Sequence, residues 1–68
     1  MTTPLPTLHD REWQILALLA NGSSNKAIAC ELFVSVNTVE KQLSPIYRKL
    51  AVTNRAGAIT WYWTHKRE

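Results

Sequence analysis

A chain of 68 residues is long enough for one small domain, and an apolar share of 46% supplies a packed core. A single cysteine, Cys30, leaves no internal disulfide, and no apolar run approaches the ~18 residues of a membrane span. The net charge of +3 is split unevenly: residues 1–33 carry two cations against three carboxylates, residues 34–68 six against two, so positive charge collects on the second half. That balance suits a polyanionic partner, but on charge alone a solvated surface is the favoured reading.

Residues 1–7 contain Pro4 and Pro6, which fix φ and remove N–H donors, so this stretch is expected to be an extended arm. A first helix is expected over residues 9–20. Ile15, Leu16, Leu18 and Leu19 give it an apolar side, and Glu12 is spaced to reach back to the His9 N–H. Asn21-Gly22 ends it, both residues tolerating the left-handed conformation. A second helix is expected over residues 25–33, with Ile28, Ala29 and Leu32 as its inner stripe.

Ser24 and Ser35 are N-cap residues eleven positions apart, each ahead of a helical pattern. Caps this close together force a short helix, a tight turn and a longer helix, the outline of a helix-turn-helix. The longer helix is expected over residues 36–50. Successive 100° steps place Val39, Leu43, Ile46, Tyr47 and Leu50 on one stripe. Asn37, Thr38, Lys41, Ser44, Pro45 and Arg48 fall on the opposite face, with Gln42 and Lys49 at its edge. A fourth helix is expected from residue 53 or 54 to about residue 64, capped by Thr53, with Ile59 and Tyr62 facing inward. The domain thus spans residues 8–64 and is followed by a basic tail over residues 65–68. The fold class is all-α, a four-helix bundle containing a helix-turn-helix and no wing.

From Leu8 to Ile59, about three-quarters of the chain, the sequence resembles the LuxR-type (GerE-type) DNA-binding domain found in bacterial response regulators and quorum-sensing regulators. The resemblance rests on an ordered set at fixed spacing: Arg11-Glu12, Ile15-Leu16, Leu19-Ala20, Gly22, Ser24-Asn25-Lys26, Ile28-Ala29, Leu32, Ser35, Thr38-Val39, Leu43, Ile46-Tyr47-Arg48-Lys49-Leu50, Val52, Asn54-Arg55 and Ala58. It implies a bacterial transcription regulator that binds double-stranded DNA, with the third helix in the major groove. It also implies homodimers on DNA, joined largely through the fourth helix. Carried onto this chain, phosphate contacts fall on Ser24, Asn25 and Lys26. Contacts from the third helix fall on Asn37, Thr38, Val39, Lys41 and Gln42, with Lys49 near the DNA backbone. The chemistry agrees: a helix N-terminus with free N–H groups attracts phosphate, Gln pairs with adenine and Lys with guanine. Val39 also belongs to the buried stripe, which favours a core role for it.

Several residues depart from the family pattern. Gln42 stands where His is common and Glu40 where Lys is common, leaving base preference open; Glu can accept from cytosine N4 or simply reduce non-specific phosphate binding. Ala27 leaves a capping box half missing. Ala51 follows the third helix where Gly is favoured, at a cost of ~1 kcal/mol if the backbone is left-handed there. Pro45 removes a helical hydrogen bond and clashes with the carbonyl of Lys41, so a kink over residues 41–44 is expected rather than a break. That kink either re-aims the second half of the helix or spoils DNA binding.

Consecutive Trp61-Tyr62-Trp63 cannot all face one core. Either Trp13 and Trp63 pack within the monomer, or Asn54, Gly57, Ala58 and Trp61 build a dimer surface. Cys30 lacks a second ligand at metal spacing, and neither a Gly-rich phosphate loop nor a cleft acid pair can be read, so no metal, no cofactor and no catalysis are expected. Cysteine usage and the lack of a signal peptide point to the cytoplasm. No receiver or ligand-sensing segment can be read, so regulation is expected from elsewhere. The competing reading is a protein-interaction module of the same fold, contacting RNA polymerase or another regulator after Pro45 and Glu40 have weakened groove docking.

Overall fold

The computed structural model describes residues 7–65, so most of the expected arm and the tail beyond His65 lie outside the described residues. Four helices follow in order: α1 (Asp10–Ala20), α2 (Asn25–Leu32), α3 (Val36–Leu50) and α4 (Arg55–His65), with no strand among the described residues. The all-α helix-turn-helix architecture is the one expected.

The helix ends follow from local chemistry. Glu12 accepts the His9 N–H at 2.9 Å and closes the start of α1. At its other end Asn21 stays out of the left-handed region (φ −87°), and Gly22 alone enters it at φ 92°. The Ser23 N–H then bonds the Leu18 carbonyl at 3.0 Å and the Gly22 N–H bonds that of Leu19 at 3.0 Å, satisfying two orphan carbonyls. Ser24 caps α2 through the Ala27 N–H (3.1 Å), and Ser35 caps α3 through the Thr38 N–H (3.0 Å). Asn54, not Thr53, caps α4: its Oδ1 accepts the Gly57 N–H at 2.9 Å.

Phe33 was expected inside α2 but ends it instead, at φ 60° and ψ 43°. This left-handed residue lets the Val34 N–H reach the Ala29 carbonyl at 3.0 Å, so the chain reverses within three residues before α3. The side chain is 94% exposed. Ala51 ends α3 in the same way, at φ 58° and ψ 39°.

α1 packs on α4 and α2 on α3, with further contacts from α1 to α2 and from α3 to α4. Leu8, Ile15, Leu16, Leu19, Ile28, Ala29, Leu32, Val39, Leu43, Ile46, Leu50 and Ala58 form one shared core. α3 runs unbroken through Pro45, and Val39 and Leu43 before it reach the same core as Ile46 and Leu50 after it. Ile59 and Tyr62 are only partly buried against that core.

The aromatic residues gather where α1 meets α4. Trp13 meets Trp61 at 5.8 Å between ring centroids and Tyr62 at 6.3 Å. Trp63 points outward, 49% exposed, with Tyr62 against its edge at 5.3 Å. The α1–α4 seam therefore uses Trp61 against Trp13.

Candidate nucleic-acid interface

α3 turns a polar face outward because its apolar stripe is held by the core on the other side. Asn37, Glu40, Lys41, Ser44, Pro45 and Arg48 are all exposed. Their spacing of three and four residues makes one continuous strip along the helix. Lys41 and Arg48 form no ion pair within the described part of the chain, so both cations are available to a ligand.

Not every expected contact residue belongs to that strip. Val39 is 1% exposed, which removes it from any base contact; its place is the core. Thr38 is half-buried, and its hydroxyl lies 2.9 Å from Ser35 Oγ, where it helps to close the start of α3. Gln42 is half-buried at the edge of the strip. Lys49 is engaged elsewhere: its ammonium donates to both Glu12 carboxylate oxygens, at 2.8 and 3.0 Å, tying the end of α3 to the start of α1. Burial pushes the Glu12 carboxyl up, but the Lys49 ammonium and the His9 N–H outweigh it and hold Glu12 below the usual carboxylate range.

The start of α2 forms the second part of the surface. Lys26 is exposed, Ser24 is exposed with its Oγ occupied by the cap, and the Asn25 and Lys26 N–H groups have no intrahelical acceptor. Asn25 is held from α4: Arg55 Nη1 donates to Asn25 Oδ1 at 3.1 Å, and Arg55 Nη2 donates to the Ser23 carbonyl. With its oxygen taken, the Asn25 side chain is left with its two N–H donors. Arg55 belongs to the family pattern, but its role could not be read from the sequence, because its partners lie 30 and 32 positions earlier.

The fourth-helix residues expected at a dimer surface mostly face inward. Ala58 is fully buried. A Cβ on Gly57 would lie 3.0 Å from Val52 Cβ, so this glycine serves close packing within the chain. Trp61 lies between Trp13 and His65, stacking on the latter at 4.5 Å. Of the four, Asn54 alone is exposed. The outward side of α4 carries Ala56, Thr60, Trp63 and Thr64 instead.

The sequence places Ser44 and Arg48 on the polar face and leaves Glu40 with two readings, base acceptor or deterrent to phosphate, without carrying any of the three into the site; their exposure puts all three on the same strip. These features define a four-helix helix-turn-helix domain whose longer helix presents a polar, partly basic strip. Residues 6–62 match the family described as bacterial regulatory proteins, luxR family (GerE), and the chain belongs to it. The chain is 41% identical over 64 residues to a nitrate/nitrite response regulator protein homolog of Haemophilus influenzae, covering 94% of this chain and 31% of that protein. It is 43% identical over 60 residues to the CsgBAC operon transcriptional regulatory protein of Escherichia coli (88% and 28% covered). It is 48% identical over 56 residues to the probable transcriptional regulatory protein SgaR of Hyphomicrobium methylovorum (82% and 26% covered). The chain thus spans less than a third of the length of these curated relatives. No solved structure matches it significantly. Among the described residues no helix is long and apolar enough to cross a membrane.

Proposed function

We propose that this chain is the DNA-binding domain of a bacterial transcription regulator, with α3 lying in the major groove and the start of α2 on the flanking phosphates. The observation that carries this reading is the exposed strip Asn37–Glu40–Lys41–Ser44–Arg48 on an unbroken, core-anchored helix. Lys26, with the free N–H groups and the Asn25 amide beside it, supplies phosphate contacts that set register. Lys41 and Gln42 supply donors to base edges, with Gln42 reaching from the rim. Membership of the luxR family and the regulatory names of the relatives support the same function. The competing interaction-module reading leaned on Pro45 and Glu40; α3 continues through Pro45, which removes the first of these grounds.

A second copy is part of the proposal. The outward side of α4 is small apart from Trp63, and an exposed tryptophan beside alanine and threonine gives an anchor with room for a facing helix. Such a dimer is expected to read two half-sites, one with each α3.

The test is fluorescence anisotropy of the 68-residue chain on a randomised duplex library at several salt concentrations. The reading expects affinity to fall steeply with salt, Lys41→Ala to weaken binding, and Gln42→Ala to change the preferred base at one position. A flat sequence profile that both variants leave unchanged contradicts these roles.

A further inference from the structure

Glu40 is a carboxylate in the middle of the strip that meets DNA, and the usual roles of glutamate on a helix do not account for it. It is exposed, so it packs nothing. No hydrogen bond or ion pair joins it to another described residue. Its neighbours one turn away are Val36, Asn37, Leu43 and Ser44, none of them cationic, so no side chain along the helix neutralises it. It sits beyond the first turn of α3, which carries no acidic residue, so it neither caps the helix nor answers its dipole. Against phosphate-lined walls an unpartnered negative charge opposes binding wherever no donor meets it.

We propose that Glu40 is a specificity-determining residue that accepts a hydrogen bond from a base amino group in the major groove, cytosine N4 in preference to adenine N6. The proposal rests on the groove-docking reading above. Guanine offers O6 and N7 there and thymine offers O4 and a methyl group, so neither presents a donor, and a carboxylate is repelled by the acceptors of both. Adenine offers an amino group, but its N7 lone pair lies beside it and opposes the second carboxylate oxygen. Cytosine alone presents a donor without an adjacent acceptor on the same base. Lys41, the next residue on the exposed face, supplies the complementary donor for the O6 and N7 of a guanine. Glu40 thus acts chiefly by exclusion: it lowers affinity for every sequence except those that place an amino group before it.

The experiment compares the 68-residue chain with Glu40→Gln and Glu40→Ala, selecting from random duplexes and measuring affinity for the selected site and for an unrelated duplex across salt concentrations. The unaltered chain is expected to prefer cytosine at one half-site position by about tenfold over guanine or thymine. Glu40→Gln is expected to move that preference to adenine, because a carboxamide pairs with adenine N6 and N7. Glu40→Ala is expected to flatten that position alone and to raise affinity for the unrelated duplex. Unchanged base preference at every position in both variants overturns the proposal, even if affinity rises, since Glu40 is then only a repulsive charge. Salt-sensitive selection that survives unchanged in the variants sinks the role of Glu40 and leaves groove docking intact. Absence of any salt-sensitive duplex binding by the unaltered chain sinks both.

Discussion

Phe33 and Ala51 hold left-handed conformations at φ 60° and 58°, a region where a Cβ costs about 1 kcal/mol or more. Phe33 recovers little of this by burial, being 94% exposed, and Ala51 is exposed as well. Phe33→Gly and Ala51→Gly are each expected to raise unfolding stability by about 0.5–1 kcal/mol, read by denaturant titration. A loss of stability in either variant would show that the side chain contributes packing that its exposure does not suggest. Glu12 makes the opposite kind of contribution. Its carboxyl is held below the ordinary value of 4.5, so its stabilisation is complete above that value and is lost as pH falls through the lowered one. Glu12→Gln should cost about 1–2 kcal/mol at neutral pH and remove part of the acid sensitivity. Equal acid sensitivity in the variant and the unaltered chain, measured by thermal unfolding from pH 7 to pH 3, would refute this.

Among the elements α3 carries the strip proposed to meet DNA, and it does so with a proline inside it. The helix survives because four core side chains, two on each side of Pro45, hold its ends to one interior. Pro45 is exposed, so the carbonyl it leaves unpaired can turn to water. Pro45→Ala is expected to stabilise the domain by up to about 3 kcal/mol and to raise helical circular dichroism. A midpoint that does not rise would mean that the proline matches a conformation the core already imposes. Arg48 lies on the same strip beyond the proline, so Arg48→Ala should reduce the salt slope of duplex binding by about 1 if that half of α3 meets phosphate. An unchanged slope would confine the contact to the helix before Pro45.

Across the whole domain, three long-range side-chain links tie the four helices together. Glu12–Lys49 ties α3 to α1, Arg55 ties α4 to the start of α2, and the Trp13–Trp61 contact joins α1 to α4. In a domain this small each link is a large share of the total stability. Asn25→Asp separates support from DNA contact at the second link. It keeps an oxygen for Arg55 but replaces the amide donors with negative charge, so unfolding stability should hold while duplex affinity falls at least tenfold. A variant that binds as tightly as the unaltered chain would exclude Asn25 from the phosphate contact. Trp63→Ser addresses pairing: monomer stability should change little, since the ring is 49% exposed, while cooperative binding to paired half-sites should be lost.

The division between what the chain announces and what its packing adds follows the range of the forces involved. Helix starts and stops are local: Ser24 and Ser35 bond N–H groups three residues on, and the 3.6-residue spacing from Val39 to Leu50 names the buried stripe of α3 from sequence. The bounds of α3, the four-helix order and the outward strip were therefore legible before any coordinate. The rotation of α4 was not, because apolar and aromatic residues lie on several of its sides; in the fold Trp61 meets Trp13 of α1 and Trp63 is left 49% exposed. Gly57 and Ala58 turned inward with the same rotation. Nor could sequence show that Lys49 is spoken for by Glu12, 37 residues away, or that Arg55 holds Asn25. Periodicity and capping act within a turn or two of helix, whereas these pairings exist only once the shared core has brought distant segments together.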